Sequence, residues 1–433
     1  MSAGDDGTAV PWRQESSFGR DLVHRWQDLS SFWSAEVRAD GFHVIEQAHG
    51  GPLEFLTKGL PFEQVDGPVM VVFSGAVTNR EERVPPFASG RSLAPGLGVP
   101  LIALSDPTLS LAADLGISWY AGSMTQDVQG AVEVLLRPLA QMLDGDLWLV
   151  GGSAGGFAAL EMGHRLGRHC SVFVWNAQTN IAEYAERYVK HYARTAFPGY
   201  DSAAPGASWK SSFMTAMRRH GRRFDVSTET IPAQAPRRLL YLQGVDDWHA
   251  QSHCAPYLEQ HDYRRHSEGL WIRDVNRVIW FAETGRGHTP PDGTKVHAIL
   301  QRLFASGSDA VLQRTLEMDA APLFEQRRPA ARPDDLTQNR AQIAALVSWR
   351  LRDTVVHGSV RQLPEDYGRM RWSAQLLGAK DRVLQRTQNQ TLPSEWAFRP
   401  DPEARRVRVS LSDGLGHTLV RRHLQVIQRK VEQ

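Results

Sequence analysis

The chain has 433 residues, of which 42% are hydrophobic, so it is long enough to bury a sizeable core in two domains or in one domain with large additions. Its 49 Lys and Arg residues nearly balance 48 Asp and Glu residues, and the net charge of +1 provides no overall field that would attract nucleic acid or an anionic membrane. The two cysteines, Cys170 and Cys254, could form at most one disulfide, which a chain of this length does not need, and we expect free thiols.

The first residues, MSAGDDGTAVPW, are polar and acidic where a secretory signal would be basic and then apolar. The longest apolar runs, such as residues 147–150, have the length of a strand and fall far short of the roughly 20 residues that a membrane helix needs. We therefore expect a cytoplasmic protein with no membrane span.

Short apolar runs alternate with longer amphipathic stretches between about residues 42 and 305, which predicts an α/β domain with a mostly parallel sheet. Four of the runs are apolar on successive residues, as central strands covered on both faces would be. The eight predicted strands begin at Phe42, Leu53, Val69, Pro100, Asp146, Ser171, Arg238 and Arg277.

An insertion at about residues 179–236 separates the strands that begin at Ser171 and Arg238. It contains Tyr184, Tyr188 and Tyr192 at the spacing of one helix face. This pattern predicts either a helical lid over a site or a helix whose tyrosines pack onto the body of the domain.

The C-terminal part of the chain has a different pattern. Residues 320–340 contain three prolines and charge clusters, which predicts a linker. Residues 347–351, 372–376 and 407–411 then alternate apolar with polar, as strands with one buried face do. We expect an N-terminal extension at 1–40, the α/β domain at 41–319 and an immunoglobulin-like β-sandwich at 341–433, with Trp349, Trp372 and Trp396 filling its core.

The sequence Gly151-Gly152-Ser153-Ala154-Gly155 lies between a predicted strand and a predicted helix. A sharp turn at this place would lift the Ser153 hydroxyl clear of the sheet, and small residues at 151 and 155 would leave room for the turn. The N–H of Ala154, at the start of the helix, would stabilise an oxyanion. A phosphate-binding loop is disfavoured because the sequence lacks the lysine of a P-loop and the GxGxxG spacing.

These residues resemble the α/β-hydrolase superfamily over residues 40–305. The resemblance implies an acid and then a histidine, each after a later strand. The turn Gly244-Val-Asp246-Asp247 follows one strand, and the family's register favours Asp247, with Asp246 as the alternative. His288 follows the last strand. In such a triad the histidine exchanges protons with the serine, and the acid orients the histidine.

The resemblance also implies a second oxyanion donor in the loop after the third predicted strand, where the N–H of Gly75 or of Ala76 is the candidate. The HGGG form found in many lipases and esterases is absent, which argues against that subgroup.

His249 and His253 have the i, i+4 spacing that metal ligands can adopt on a helix. Neither an HExxH motif nor a cysteine pair accompanies them. We therefore expect no metal and no cofactor, and we interpret His249 as a hydrogen-bonding neighbour of the acid.

Three functions follow from this pattern. The first is a serine esterase that acts on small-molecule or glycan esters through an acyl-enzyme. The second is an O-acyltransferase with the same triad. The turns YLQGVDDWH and GRGHTPP, with a terminal β-sandwich, are similar to the acetyltransferase component of the accessory Sec glycoprotein-export system and to hydrolase-like proteins of cell-envelope polysaccharide assembly. That similarity implies an acylated glycan substrate and a glycan or protein partner for the sandwich. The third is a binding protein that has kept the fold without catalysis.

Overall fold

The structure is a computed structural model that describes residues 15–201, 208–227, 235–267, 269–307, 312–316, 346–360, 371–379, 382–387, 390–391, 394–412 and 418–426. The chain forms two compact units. The first contains the described residues of Met1–Gln243, Ser252–Thr284 and Pro290–Gln326, and the second contains those of Gly244–Gln251, Gly285–Thr289 and Arg327–Gln433. The predicted linker at 320–340 lies outside the described residues.

The first unit is built on an 11-stranded sheet with the order β1-β2-β3-β5-β4-β6-β7-β8-β11-β10-β9. Its strands are β1 (Val23–Trp26), β2 (Gly41–Ile45), β3 (Leu53–Lys58), β4 (Val69–Phe73), β5 (Leu101–Ser105), β6 (Leu147–Gly152), β7 (Ser171–Trp175), β8 (Arg238–Gly244), β9 (Arg264–Ser267), β10 (Leu270–Asp274) and β11 (Arg277–Ala282).

The centre of this sheet is parallel. Strand β4 pairs in parallel with β5 and β6, and the parallel pairing continues through β7 to β8. Antiparallel pairs join β2 to β3, β3 to β5, and β9 to β10 to β11. The apolar residues of β4, β6, β7 and β8 are almost completely buried, as expected for strands covered on both faces. The prediction of a mostly parallel α/β sheet is confirmed.

All eight predicted strands are present, as β2 to β8 and β11. Three further strands were not predicted. Strand β1, within the predicted N-terminal extension, and strands β9 and β10 lie at or next to the edges of the sheet and carry Arg and His residues. Edge strands are partly exposed, so their sequences lack the continuous apolar run that marks a central strand.

The described α-helices pack around the sheet or within its connections, and none of them is long and apolar enough to cross a membrane. They are α1 (Leu29–Ser34), α2 (Ala94–Leu97), α3 (Val128–Leu143), α4 (Ser153–Leu166), α5 (Glu186–Ala196), α6 (Trp209–Arg219), α7 (Ala255–Gln260), α8 (Gly293–Ala305) and α9 (Leu312–Thr315). Helix α3 begins at an Asp127 cap, whose side chain accepts a hydrogen bond from Gly130 N.

The insertion between β7 and β8 contains α5 and α6, and its three tyrosines do not share one role. Tyr184 precedes α5, at the end of a 3₁₀ turn, so the expectation of one continuous helical stripe is wrong. Tyr192 is fully buried and its hydroxyl donates to Gly122 O at 2.7 Å, as in the interpretation that the tyrosines pack onto the body. Tyr188 is 37% exposed.

Apart from its two short segments, the described residues of the second unit form β-strands and the turns between them. One sheet has the order β12-β13-β17, and the other has the order β15-β14-β18-β19 with β16 pairing β14. Apolar side chains of both sheets share one core, in which Trp372 is fully buried, Trp349 is 9% exposed and Trp396 packs at the margin. The strands are β12 (Val347–Arg352), β13 (Val355–Val360), β14 (Arg371–Leu377), β15 (Val383–Arg386), β16 (Gln390–Thr391), β17 (Ser394–Ala397), β18 (Arg406–Ser412) and β19 (Thr418–Gln425). The prediction of a small β-sandwich after the α/β sheet is confirmed.

Candidate active site

Ser153 lies at the junction of a central strand and a helix, because β6 ends at Gly152 and α4 begins at Ser153. Its φ of 54° places a non-glycine residue in the left-handed region, where backbone strain is stored. A side chain at Gly155 would collide with the backbone oxygen of Phe73, and one at Gly151 would collide with the backbone oxygen of Gly155. The two glycines of the motif are therefore required by close packing of backbone against backbone.

The predicted oxyanion donors lie beside this turn. Ala154 is buried in the first turn of α4, where N–H groups have no acceptor within the helix. Gly75 follows β4, and a methyl group added to it would lie 3.4 Å from Gly152 O. Among the described residues, neither Gly75 N nor Ala76 N donates a hydrogen bond to a protein acceptor. The loop is held further along by Val77 N, which donates to Gly116 O at 2.8 Å.

Gln178, which belongs to no motif in the sequence, contacts Ser153 directly. Its side-chain Nε2 donates to Ser153 Oγ at 3.0 Å, and its backbone N donates to Ser153 O at 3.1 Å. The Nε1 of Trp119 donates to Gln178 Oε1. Gln178 is fully buried and Trp119 is 1% exposed, so this chain of hydrogen bonds is shielded from water.

Trp119 and Tyr120 form a strained turn, with φ of 56° and 54°. The buried carboxylate of Asp106 holds this turn through three hydrogen bonds, which it accepts from Tyr120 N at 2.6 Å, Ser118 Oγ at 2.7 Å and Thr108 N at 3.0 Å. Burial raises the pKa of Asp106, and these hydrogen bonds oppose that shift. The cost of the strained turn is thus offset by a densely bonded buried carboxylate.

The same turn supports the loop that carries Gly75 and Ala76. Tyr120 OH accepts a hydrogen bond from Ser74 N at 2.8 Å and donates to Leu104 O at 2.8 Å. Because Ser74 immediately precedes Gly75 and Ala76, the turn at 119–120 is bonded both to Gln178, next to Ser153, and to the start of this loop.

The second unit brings Asp247 and His288 together. His288 Nδ1 lies 2.8 Å from Asp247 Oδ2, and Asp247 is completely buried while the His288 side chain is 27% exposed. Asp247 Oδ1 accepts a second hydrogen bond, from His249 N at 2.9 Å. With Nδ1 as the donor to the carboxylate, neutral His288 has an unprotonated Nε2, as a general base requires. Asp246, the alternative acid, is half-buried in the same turn.

His249 lies beside this pair, and the centroids of the His249 and His288 rings are 4.0 Å apart. One ligand atom each from Asp247, His249 and His288 all lie within 4.8 Å of one another. This donor set is chemically suited either to a proton relay or to a divalent cation. In the first unit, His253 Nδ1 accepts a hydrogen bond from Thr179 N at 3.3 Å.

Both cysteines, Cys170 and Cys254, are buried free thiols, as the sequence predicts. Cys170 is buried, and burial raises the pKa of its thiol, which keeps it protonated and unreactive.

A pocket of about 550 Å³ opens next to the loop after β4 and includes Ala76 in its wall. Tyr184 and Tyr188 form another wall, with stacked rings whose centroids are 5.7 Å apart. The ring of Tyr184 packs edge-on against Trp119 at 5.9 Å. The remaining walls carry the polar side chains of Asn79, Glu81, Glu82, Asp114 and His191.

The sheet and the turn at Ser153 together define an α/β-hydrolase fold. Strand β5 lies between β3 and β4 although it follows both in the chain. The strands from β4 to β8 are parallel, and one of them, β6, runs directly into the strained strand-to-helix turn at Ser153.

No family model matches the sequence, and no curated protein matches it. Among solved structures, the capsule O-acetyltransferase of Neisseria meningitidis serogroup A is 12% identical, with a TM-score of 0.38 over 63% of this chain and 96% of that one. The Glycosylation Associate Protein (Gap123) complex of Streptococcus agalactiae is 16% identical, with a TM-score of 0.40 over 66% of this chain and 48% of that one. Acetyl xylan esterase 1 of Thermoanaerobacterium sp. is 12% identical, with a TM-score of 0.37 over 62% of this chain and 89% of that one.

Proposed function

We propose that the protein is a serine esterase that cleaves carboxylic esters through an acyl-enzyme. The observation that carries this proposal is the backbone of Ser153, which is held in the left-handed region between a central strand and a helix. A strained turn of this kind is the arrangement that presents a serine nucleophile in α/β-hydrolases. A serine with a purely structural role gains nothing from a strained backbone, and strain of this type is concentrated at functional sites.

In the proposed reaction, Ser153 Oγ attacks the ester carbonyl while Nε2 of His288 accepts the hydroxyl proton. The negative charge of the tetrahedral intermediate falls on the carbonyl oxygen, where the N–H of Ala154 and that of Gly75 or Ala76 donate hydrogen bonds. The protonated histidine then gives its proton to the leaving alcohol. Water then attacks the acyl-enzyme while His288 again accepts and returns a proton, which releases the acid and restores Ser153.

The pair formed by Asp247 and His288 supports these roles. A fully buried carboxylate 2.8 Å from Nδ1 holds the ring in one orientation and stabilises the imidazolium that forms during each proton transfer. The second bond of Asp247, from His249 N, fixes the carboxylate itself.

The test of catalysis is labelling with a fluorophosphonate, which reacts with activated serines. Wild type is expected to be labelled, and Ser153→Ala is expected to remain unlabelled. Ser211→Ala removes an exposed serine of α6 and is the matched control, which is expected to be labelled like wild type. If folded wild type is not labelled, the proposal is overturned in favour of a binding protein that has kept the fold.

A second candidate is O-acyl transfer, in which a sugar hydroxyl replaces water as acceptor. The pocket beside Ala76 favours it, because its volume of about 550 Å³ accommodates an acceptor and its walls combine the aromatic side chains of Tyr184 and Tyr188 with polar side chains that can bond sugar hydroxyls. An acylated glycan is accordingly the substrate class that we propose for both candidates.

Turnover of p-nitrophenyl acetate with and without added sugars separates the two. Release of nitrophenol at an unchanged rate, with all acetate appearing as free acid, supports hydrolysis. A rate that rises with sugar concentration, together with acetylated sugar detected by mass spectrometry, supports transfer.

A further inference from the structure

We propose that Gln178 is a positioning residue, which holds Ser153 Oγ as a hydrogen-bond acceptor and thereby directs the hydroxyl proton toward the general base. This inference rests on the proposed function. The contact that carries it is the 3.0 Å hydrogen bond from Gln178 Nε2 to Ser153 Oγ.

The orientation of the Gln178 amide follows from chemistry. The indole N–H of Trp119 can only donate, so the atom of the amide that it contacts must be Oε1. Nε2 is then the atom that contacts Ser153. Because both ends of the amide are engaged and the side chain is fully buried, Gln178 is held in this single orientation.

The backbone around Gln178 is equally well fixed. Gln178 N donates to Ser153 O at 3.1 Å, and the preceding carbonyl, of Ala177, accepts from Tyr241 OH at 2.6 Å. A methyl group added to Gly156 would lie 2.6 Å from the Ala177 side chain, which shows how closely this segment packs on α4. These contacts fix the position of Gln178 relative to Ser153.

The N–H donor has two consequences for the serine. One lone pair of Oγ is occupied, and since Nε2 cannot accept a proton, the Ser153 hydroxyl hydrogen has to point in another direction. When the proton leaves, the same N–H stabilises the negative charge that develops on Oγ. Both effects act during attack on the substrate and not during its binding.

Trp119 orients the Gln178 amide. Its strained backbone, with φ of 56°, is held by the Asp106 network and presents the indole N–H to Gln178. Removing that N–H leaves the amide free to rotate by 180°, which would present Oε1 to Ser153 and draw the hydroxyl proton the wrong way.

The decisive variant is Gln178→Glu. A protonated glutamic acid still donates to Ser153 Oγ, whereas an ionised one can only accept and so attracts the hydroxyl proton. The pKa of a buried carboxyl is raised, which brings this change into a range of about pH 5 to 9. We expect the kcat of Gln178→Glu, divided by that of wild type, to fall about tenfold or more as the pH rises through this range.

Three further variants complete the experiment, with p-nitrophenyl acetate turnover and the rate of fluorophosphonate inactivation as readouts. Gln178→Ala and Trp119→Phe are expected to lower kcat about tenfold with KM little changed. Gln129→Glu is the matched control, because Gln129 is also buried and its amide donates to Arg223 O and accepts from Arg223 N. Its activity ratio to wild type is expected to stay flat with pH.

A flat ratio for Gln178→Glu overturns the inference, provided that its thermal unfolding shows a folded protein. If Gln178→Ala does not fold, the pH ratio of Gln178→Glu and the kcat of Trp119→Phe decide the matter, and wild-type values in both overturn it. A flat pH ratio in a protein whose wild type is labelled by the fluorophosphonate overturns this inference alone. Absence of labelling in folded wild type overturns the proposed function, and the inference with it.

Discussion

The change Asp247→Asn is expected to invert the tautomer of His288, beyond the loss of one hydrogen bond. His249 N can only donate, and it contacts Asp247 Oδ1 at 2.9 Å, so the oxygen of an asparagine amide would remain at that position. The NH₂ group would then face His288 Nδ1, which lies 2.8 Å from the other carboxylate oxygen. A donor at that place stabilises the ring with its proton on Nε2, where it can no longer act as a base.

The size of the fall in kcat distinguishes the loss of one hydrogen bond from the inversion of the His288 tautomer. Loss of one charge-assisted hydrogen bond would cost about 1.5–3 kcal/mol, or roughly 10- to 150-fold in rate. An inverted tautomer has cost a serine hydrolase about 10⁴-fold in kcat, about 5.5 kcal/mol. We expect a fall in kcat of about 10³ to 10⁴-fold with KM little changed, measured as steady-state p-nitrophenyl acetate turnover.

Asp246→Asn is the matched control, since it makes the same chemical change one residue earlier, at a half-buried carboxylate. It is expected to keep a kcat within about twofold of wild type. The reasoning is refuted if Asp247→Asn retains more than a tenth of wild-type activity, or if the large loss belongs to Asp246→Asn.

The remaining predictions concern packing, pH and metal. Gly155→Ala is expected to lower the free energy of unfolding, measured in urea, by about 1–3 kcal/mol and to reduce kcat, because the new methyl group collides with Phe73 O beside the loop of Gly75 and Ala76. Gly293→Ala is the matched control, because nothing lies within 4 Å of a methyl group added there. Burial lowers the pKa of His43 to about 4 from about 6.5 in the unfolded chain, so the unfolded state binds more protons between these values. Stability is therefore lost as the pH falls from 6.5 to 4, by about 3 kcal/mol, and urea unfolding of His43→Gln is expected to show a shallower loss over the same window. Millimolar EDTA is expected to leave p-nitrophenyl acetate turnover unchanged, whereas added Zn²⁺ is expected to inhibit it by binding the donor atoms of Asp247, His249 and His288.

Each of these has an outcome that contradicts it. Equal effects of the two glycine changes would show that the collision at 155 is relieved without cost. Parallel pH curves for wild type and His43→Gln would show that another group dominates acid unfolding. Activity that EDTA abolishes and Zn²⁺ restores would replace the proton relay with metal chemistry.

The amino-acid sequence by itself determined the central strands and the turn at Ser153. Continuous apolar runs identified β4, β6, β8 and β11, because strands buried on both faces need an apolar residue at every position. The glycines around Ser153 were equally readable, because a side chain at 151 or 155 would collide with a backbone oxygen. These are local requirements, and each leaves its mark on consecutive residues.

The tertiary structure alone decided which distant side chains meet. Asp247 and Asp246 differ little in sequence context, and only the fold buries Asp247 against His288 Nδ1. Gln178 and Trp119 belong to no motif, and they become interpretable only when the chain brings a buried amide to Ser153 Oγ and an indole N–H to that amide. A hydrogen bond between residues far apart in sequence imposes no periodicity or spacing on either segment, so no pattern in the chain could have predicted it.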